Sequence, residues 1–169
     1  DTVGMIMVTP FVFLFFLSPL SGWIYDFLGS RFLCTTGMIC LAAGLFALSA
    51  LAASTSITQI LWRLALIGIG TAVFLPPNSS AAMTAVPVAR RGTAAATVAV
   101  ARNLGMVVGV AQAGAIFNST FYRLSGGETF RSYTDSLESA FMSAFRLSLL
   151  AAAGVAIIGA VLALMRGKG

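Results

Sequence analysis

Between Thr2 and Gln59 the chain carries two charges, Asp26 and Arg31, both inside one Gly-punctuated stretch, Ser18 to Arg31, with a long apolar run on either side. An acid and a base set in that much hydrocarbon need the membrane surface or a partner segment to hold them. The stretch is therefore expected to be a polar hinge joining two membrane helices. Only 9% of the 169 residues are charged and 59% are hydrophobic, with a mean hydropathy of +0.97, against roughly a quarter charged in an ordinary soluble domain. These values define a membrane protein, and the run lengths make it all-α.

A helix needs around 20 apolar residues to cross a hydrocarbon core of about 30 Å. By that measure five spans are expected, at residues 3–25, 32–53, 57–75, 94–121 and 140–165. Pro10 and Pro19 interrupt the first and predict a kink or broken turn. Gly37, Ala42, Ala43, Gly44 and Ala47 give the second a face that a neighbour can approach closely. The pair Pro76-Pro77 is expected to end the third. Gly105, Gly109 and Ala113, spaced by four, make a small-residue seam for helix packing in the fourth, with a flexible gating point as the sharper alternative. Between the fourth and fifth lies the longest polar stretch, Tyr122 to Ser139, expected to be a loop or a loop with a short surface helix.

Basic residues next to the helix ends orient the bundle. One side collects Arg31, Arg90, Arg91, Arg166 and Lys168 against Asp26; the other has Arg123 and Arg131 against Asp1, Glu128, Asp135 and Glu138. Simple alternation of five spans puts these sets on opposite faces, and the positive-inside rule then makes the Asp26 turn, the Arg90 turn and the C-terminus cytoplasmic. The expected location is a cell membrane, multi-pass, on the pattern of a bacterial inner membrane.

Arg102 lies roughly 12 Å inside the fourth span at 1.5 Å per residue. A charge at such depth costs on the order of 2.5–3.5 kcal/mol on insertion scales. Three uses are open for it: lining or gating a translocation path, pairing with another segment, and snorkelling. Asn78, after the proline pair, either caps broken backbone or lines the same path. Phe11 and Phe15, four apart on one helical face, are lipid-facing or packing aromatics in one reading and line an aromatic cavity in the other. Arg63 and Arg146, closer to the interface, are expected to snorkel.

Several classes of function are disfavoured. The net charge of +5 comes from scattered basic residues, with no stripe to follow a nucleic-acid backbone. Histidine is absent, so imidazole ligation and triad chemistry have no carrier, and neither an enzyme nor a metal site is expected. Cys34 and Cys40, six apart, fit buried apolar positions and not a redox pair. No Asp or Glu falls within the five spans, although membrane carboxylates are the usual proton relays.

The stretch Gly22-Trp23-Ile24-Tyr25-Asp26-Phe27-Leu28-Gly29-Ser30-Arg31 resembles the G-x-L-x-D-R-x-G-x-R loop of the major facilitator superfamily, in the copy joining the eighth and ninth of twelve helices. It departs from that pattern at Ile24 and at Phe27, where the commoner Arg is missing. Leu75-Pro76-Pro77-Asn78, Arg90-Arg91-Gly92-Thr93-Ala94 and Ala101-Arg102-Asn103-Leu104-Gly105 with Gly109-Val110-Ala111 are similar to the drug:proton antiporters with fourteen helices. That resemblance implies the last five helices of such a transporter, the partial C-terminal half, with the N-terminal helices of the same protein as its partner beside the bilayer and a small-molecule substrate. It implies proton-coupled export of hydrophobic or cationic compounds by alternating access, with no cofactor beyond the proton gradient and the proton-coupling residue outside this chain. Phe11, Phe15, Asn78 and Arg102 then become the candidate substrate pathway. Gly22, Asp26, Gly29, Arg31, Arg90 and Arg91 become the cytoplasmic gating loop, where Asp26 would pair with Arg31, Arg90 or Arg91. The alternative is a non-transporting membrane subunit or truncated remnant that packs through its small-residue seams.

Overall fold

The computed structural model describes residues 2–52, 55–127 and 137–165. It has four long helices, α1 (Thr2–Ser49), α2 (Ile57–Thr84), α3 (Arg91–Leu124) and α4 (Glu138–Met165), with a 3-10 turn at Val88–Arg90 leading into α3. Each is long and apolar enough to cross a membrane. The expected count of five becomes four because α1 contains two of the spans. Its one residue with non-helical backbone is Gly29, at φ 73° and ψ 166°, a combination open essentially to glycine alone. One residue in that conformation breaks the ladder and lets it resume, so no loop is needed between the two arms, residues 2–28 and 30–49. The polar hinge expected over Ser18 to Arg31 is thus confined to Gly29, and the chain stays helical through Pro10 and Pro19.

The break expected at Pro76-Pro77 is also absent: α2 continues through both prolines to Thr84. A proline in a helix strips the carbonyl four residues earlier of its donor, and for Pro76 that carbonyl belongs to Ala72. The hydroxyl of Ser21, on the first arm of α1, donates to Ala72 O at 2.8 Å while sharing its proton with Ser18 O at 2.9 Å. Both Ser21 and Ala72 are buried, so the neighbouring helix supplies what the proline removed, as helices in lipid require. Replacing Ser21 by Ala is expected to cost about 1–3 kcal/mol, the penalty of an orphaned buried acceptor. Adding Pro76→Ala, which restores an N–H to Ala72 O, is expected to recover most of it. Thermal unfolding of the two single variants and the double variant in detergent checks this, and additive losses would refute the relay.

Helix α2 lies against both arms of α1, and small residues set the distances. A Cβ on Gly68 would stand 2.6 Å from Pro10 O on the first arm. On the second arm, a Cβ on Gly37 would meet Phe74 N at 2.8 Å and one on Gly44 would meet Ile67 N at 3.0 Å. The expected close approach along the second span is therefore present. The Cys40 thiol joins the same seam, donating to Leu66 O at 3.5 Å, and Cys34 is buried. Neither cysteine is in a disulfide.

Helix α4 packs on the second arm, where Met38 Cε fills the space a side chain at Gly159 would need. It meets α3 through Phe121, Ala140 and Ala144, flanked by Phe117 and Phe141 whose rings stand edge-on at 5.3 Å. That cluster sits near the C-terminal end of α3, and Phe121 is the only described residue of α3 that is buried. Among the described residues, a Cβ on Gly105 or Gly109 would find no atom within 4 Å, so these four helices leave the expected seam unfilled at both positions. Ala113, one turn nearer the aromatic cluster, does touch α4, its carbonyl accepting from Ser148 Oγ at 3.3 Å. The remaining boundaries shift by a few residues, with the second arm ending at Ser49 and α3 starting at Arg91. Asp1, Glu128, Arg131, Asp135, Arg166 and Lys168 lie outside the described residues, as does the short surface helix allowed between the last two spans.

Candidate functional site

The exposed length of α3 faces the end of α2 across a cleft, and a polar contact between Arg102 and Ser79 bridges it. Arg102 Nη2 donates to Ser79 Oγ at 3.3 Å, and Ser79 Oγ donates back along its own helix to Leu75 O at 3.0 Å. Ser79 lies just beyond the proline pair, so the continuity of α2 through Pro76 and Pro77 is what places its hydroxyl opposite Arg102. Because α3 starts at Arg91, Arg102 is about 16 Å from the helix start at 1.5 Å per residue. It is exposed, and its hydrogen-bond partner is a neutral hydroxyl.

Of the candidate pathway residues, Arg102 is bridged to α2 through Ser79, the neighbour in sequence of the half-buried Asn78. Phe11 and Phe15 are not: they stand 66% and 75% exposed on the first arm of α1, with Phe15 edge-on to Phe16 at 5.4 Å. Ser79 and Ser21 were missed from the sequence. The usable signal was present, since a proline in a continuous helix frees a carbonyl and calls for a hydroxyl on the neighbouring element.

The candidate gating residues divide similarly. Gly22 is helical and half-buried, Gly29 carries the break, and Asp26 and Arg31 are exposed on its two sides. Trp23 and Phe27 contact each other at 5.0 Å beside them, so Phe27 occupies the position of the missing Arg as an exposed aromatic. No ion pair among the described residues joins Asp26 to Arg31, Arg90 or Arg91, contrary to the expected pairing. The break at Gly29 explains this for Arg31, because it separates Asp26 on the first arm from Arg31 on the second. Arg90 and Arg91 are exposed at the start of α3, where Arg90 lines a cleft with Ala82, Val86, Thr93, Ala94, Thr97 and Val98.

Arg63 departs from snorkelling as well. Its Nε and Nη1 are buried without a hydrogen-bond partner among the described residues, and its Cζ lies 5.4 Å from the ring centroid of Trp62. Arg146 is exposed.

Residues 1–168 match the family model of the Major Facilitator Superfamily. The chain belongs to the major facilitator superfamily. Among curated relatives, it is 33% identical over 102 residues to the uncharacterized transporter YebQ of Escherichia coli, covering 60% of this chain and 22% of that protein. It is 33% identical over 116 residues to the multidrug resistance protein Stp of Mycobacterium tuberculosis, covering 68% of this chain and 21% of that protein. It is 33% identical over 114 residues to a triacylglyceride transporter of Mycobacteroides abscessus, covering 62% of this chain and 22% of that protein. The chain spans about a fifth of the length of these relatives. Within the superfamily, whose members are transporters, its long apolar helices make it a multi-pass membrane protein.

Proposed function

We propose that the chain is the C-terminal membrane portion of a proton-coupled efflux transporter that exports hydrophobic small molecules, cationic ones included, by alternating access in a bacterial inner membrane with a cytoplasmic C-terminus. The observation that carries this reading is the open face of α3: it presents Arg102, bridged to Ser79, in a family of transporters, and such a face is suited to a pathway closed by the other helices of the protein. The multidrug relative supports the substrate class. Among the described residues the only carboxylates are Asp26 beside the Gly29 break and Glu138 in the first turn of α4, so the group that exchanges protons belongs to the remainder of the protein.

The test is ethidium and tetraphenylphosphonium efflux from cells expressing the full-length gene, with and without a protonophore. Extrusion that the protonophore abolishes supports the reading, and equal accumulation in expressing and empty cells overturns it. The 169-residue chain alone in liposomes is expected to give no substrate-induced proton flux. Measurable flux from it would place the proton carrier within these helices.

A lipidic cargo is a second reading, favoured by one observation. A groove of about 440 Å³ runs between the second arm of α1 and α4, lined by Ile39, Phe46, Ile157, Val161 and Leu164 with Thr35 as its one hydroxyl. Export of a fluorescent triacylglyceride analogue in the same cells, without export of the cations, would select it.

A further inference from the structure

Arg63 carries a charge into the bundle that the four helices do not answer. It stands about 9 Å from the start of α2 at 1.5 Å per residue, on the face that Ile67 and Gly70 continue one and two turns later. That face packs on the second arm of α1. Gly37 lies against Phe74 and Gly44 against Ile67, so the two helices run antiparallel and the next turn of the register sets Arg63 opposite Ala47 and Leu48. No charged residue occurs between Phe32 and Ala53, and the arm therefore offers no carboxylate.

The guanidinium is held with one end free. Nε and Nη1 are buried without a hydrogen-bond partner among the described residues, whereas Nη2 is not sealed in this way and is the nitrogen that an outside group reaches. Trp62 covers the group, its ring centroid 5.4 Å from Cζ, and offsets part of the loss of hydration. The positive charge is delocalised over the whole planar group. An anion at Nη2 thus compensates the charge borne by the buried nitrogens as well.

The place of Arg63 selects the chemistry of that anion. A carbonyl would satisfy a donor and leave the charge standing. A headgroup phosphate sits at the membrane surface, and a guanidinium snorkelling toward it would not keep Nε and Nη1 sealed. Ionisable side chains inside membrane spans characteristically pair with one another. The carboxylates among the described residues are Asp26, roughly 30 Å from Leu48 along α1, and Glu138 in the first turn of α4, and neither is in an ion pair with Arg63. Most of the protein lies outside these helices, since the chain spans about a fifth of the length of its relatives.

We propose that Arg63 is the anchor for a carboxylate on one of the membrane helices outside this chain, and that this ion pair docks the N-terminal end of α2 against that helix. The contact is independent of the export reading and holds whatever cargo the protein carries.

The experiment is a set of double-variant cycles in the full-length protein, read as the melting midpoint by fluorescence-detected gel filtration after heating in mild detergent. Arg63→Gln is combined in turn with the amide variant of each Asp and Glu in the spans of the remaining helices. Alone it is expected to lower the midpoint by on the order of 5 °C, as breaking a buried ion pair does. One carboxylate is expected to give a similar loss, with the double variant no worse than either single one. Exchanging the two charges is expected to restore folded protein where Arg63→Glu alone loses it. Additive losses with every carboxylate would overturn the proposal, as would coupling confined to an acid of this chain such as Glu138. An unchanged midpoint in Arg63→Gln would overturn it too. Rescue of Arg63→Gln by added phosphatidylglycerol, without rescue by charge exchange, would assign the anion to a lipid headgroup instead and equally overturn the proposal.

Discussion

Gly70→Leu is expected to remove most of the folded protein from the membrane. A Cβ at position 70 would lie 2.5 Å from Leu41 N and 2.8 Å from both Leu41 Cα and Gly37 O, and all three are backbone atoms of the facing arm that cannot turn aside as a side-chain tip can. Intrinsic helix propensity runs the other way, since exchanging glycine for a good helix former gains about 1 kcal/mol in a helix interior. Overpacking a tight contact costs about 1–3 kcal/mol for added methylenes with room to adjust, and here the adjustment is separation of two helices along their seam. The steric cost therefore wins. Gly105→Ala provides the contrast: nothing among the described residues lies within 4 Å of its Cβ, and a single methyl is the smallest addition a helix closing that face from outside this chain would meet, so stability is expected to change little. Fluorescence-detected gel filtration of full-length variants extracted in mild detergent distinguishes them, with a monodisperse peak for Gly105→Ala and its loss for Gly70→Leu. A normal peak for Gly70→Leu would show that the two helices do not meet at Gly70.

Arg102→Ala in the full-length protein is expected to abolish export while leaving membrane abundance unchanged. The separation of the two effects follows from the geometry. Arg102 is exposed and its hydrogen bond to Ser79 is long, at 3.3 Å, so a net loss of about 0.5–1.5 kcal/mol is the most that bond contributes to stability. Its charge, in contrast, is maintained at membrane depth against an insertion cost of about 2.5–3.5 kcal/mol. Substrate efflux into inverted vesicles, normalised to protein by immunoblot, reads the difference. Undiminished efflux would exclude a role for Arg102 in the path. Ser79→Ala, which removes the acceptor but keeps the cation, is expected to reduce efflux only partly.

The membrane helices were legible because an uncharged run of 20 residues has few other ways to satisfy its backbone. Their breaks were harder to place. Pro76 and Pro77 signal a helix end in water, yet in this bundle Ser21 replaces the lost donor from another helix, a contact between residues 51 apart in sequence that no local pattern reports. The hinge at Asp26 was correctly placed in the chain but drawn too wide, since a single glycine at φ 73° suffices. Small residues were read correctly where both faces of the contact lie in this chain, as for Gly37 and Gly44. At Gly105 and Gly109 none of the described residues forms the second face of such a contact. For the candidate site, the depth of Arg102 was evident from spacing, while its partner Ser79 required the helix to continue past two prolines.

The join at Gly29 leaves the two arms of α1 with no slack, and this restricts how the gene can change. A loop absorbs an added codon, but one extra residue beside Gly29 would rotate the second arm by about 100° and advance it about 1.5 Å. Gly37 and Gly44 would then turn away from α2 and larger neighbours would take their places against it. Substitutions near the junction can be borne singly, whereas an insertion or deletion there is a change to every contact downstream in the arm.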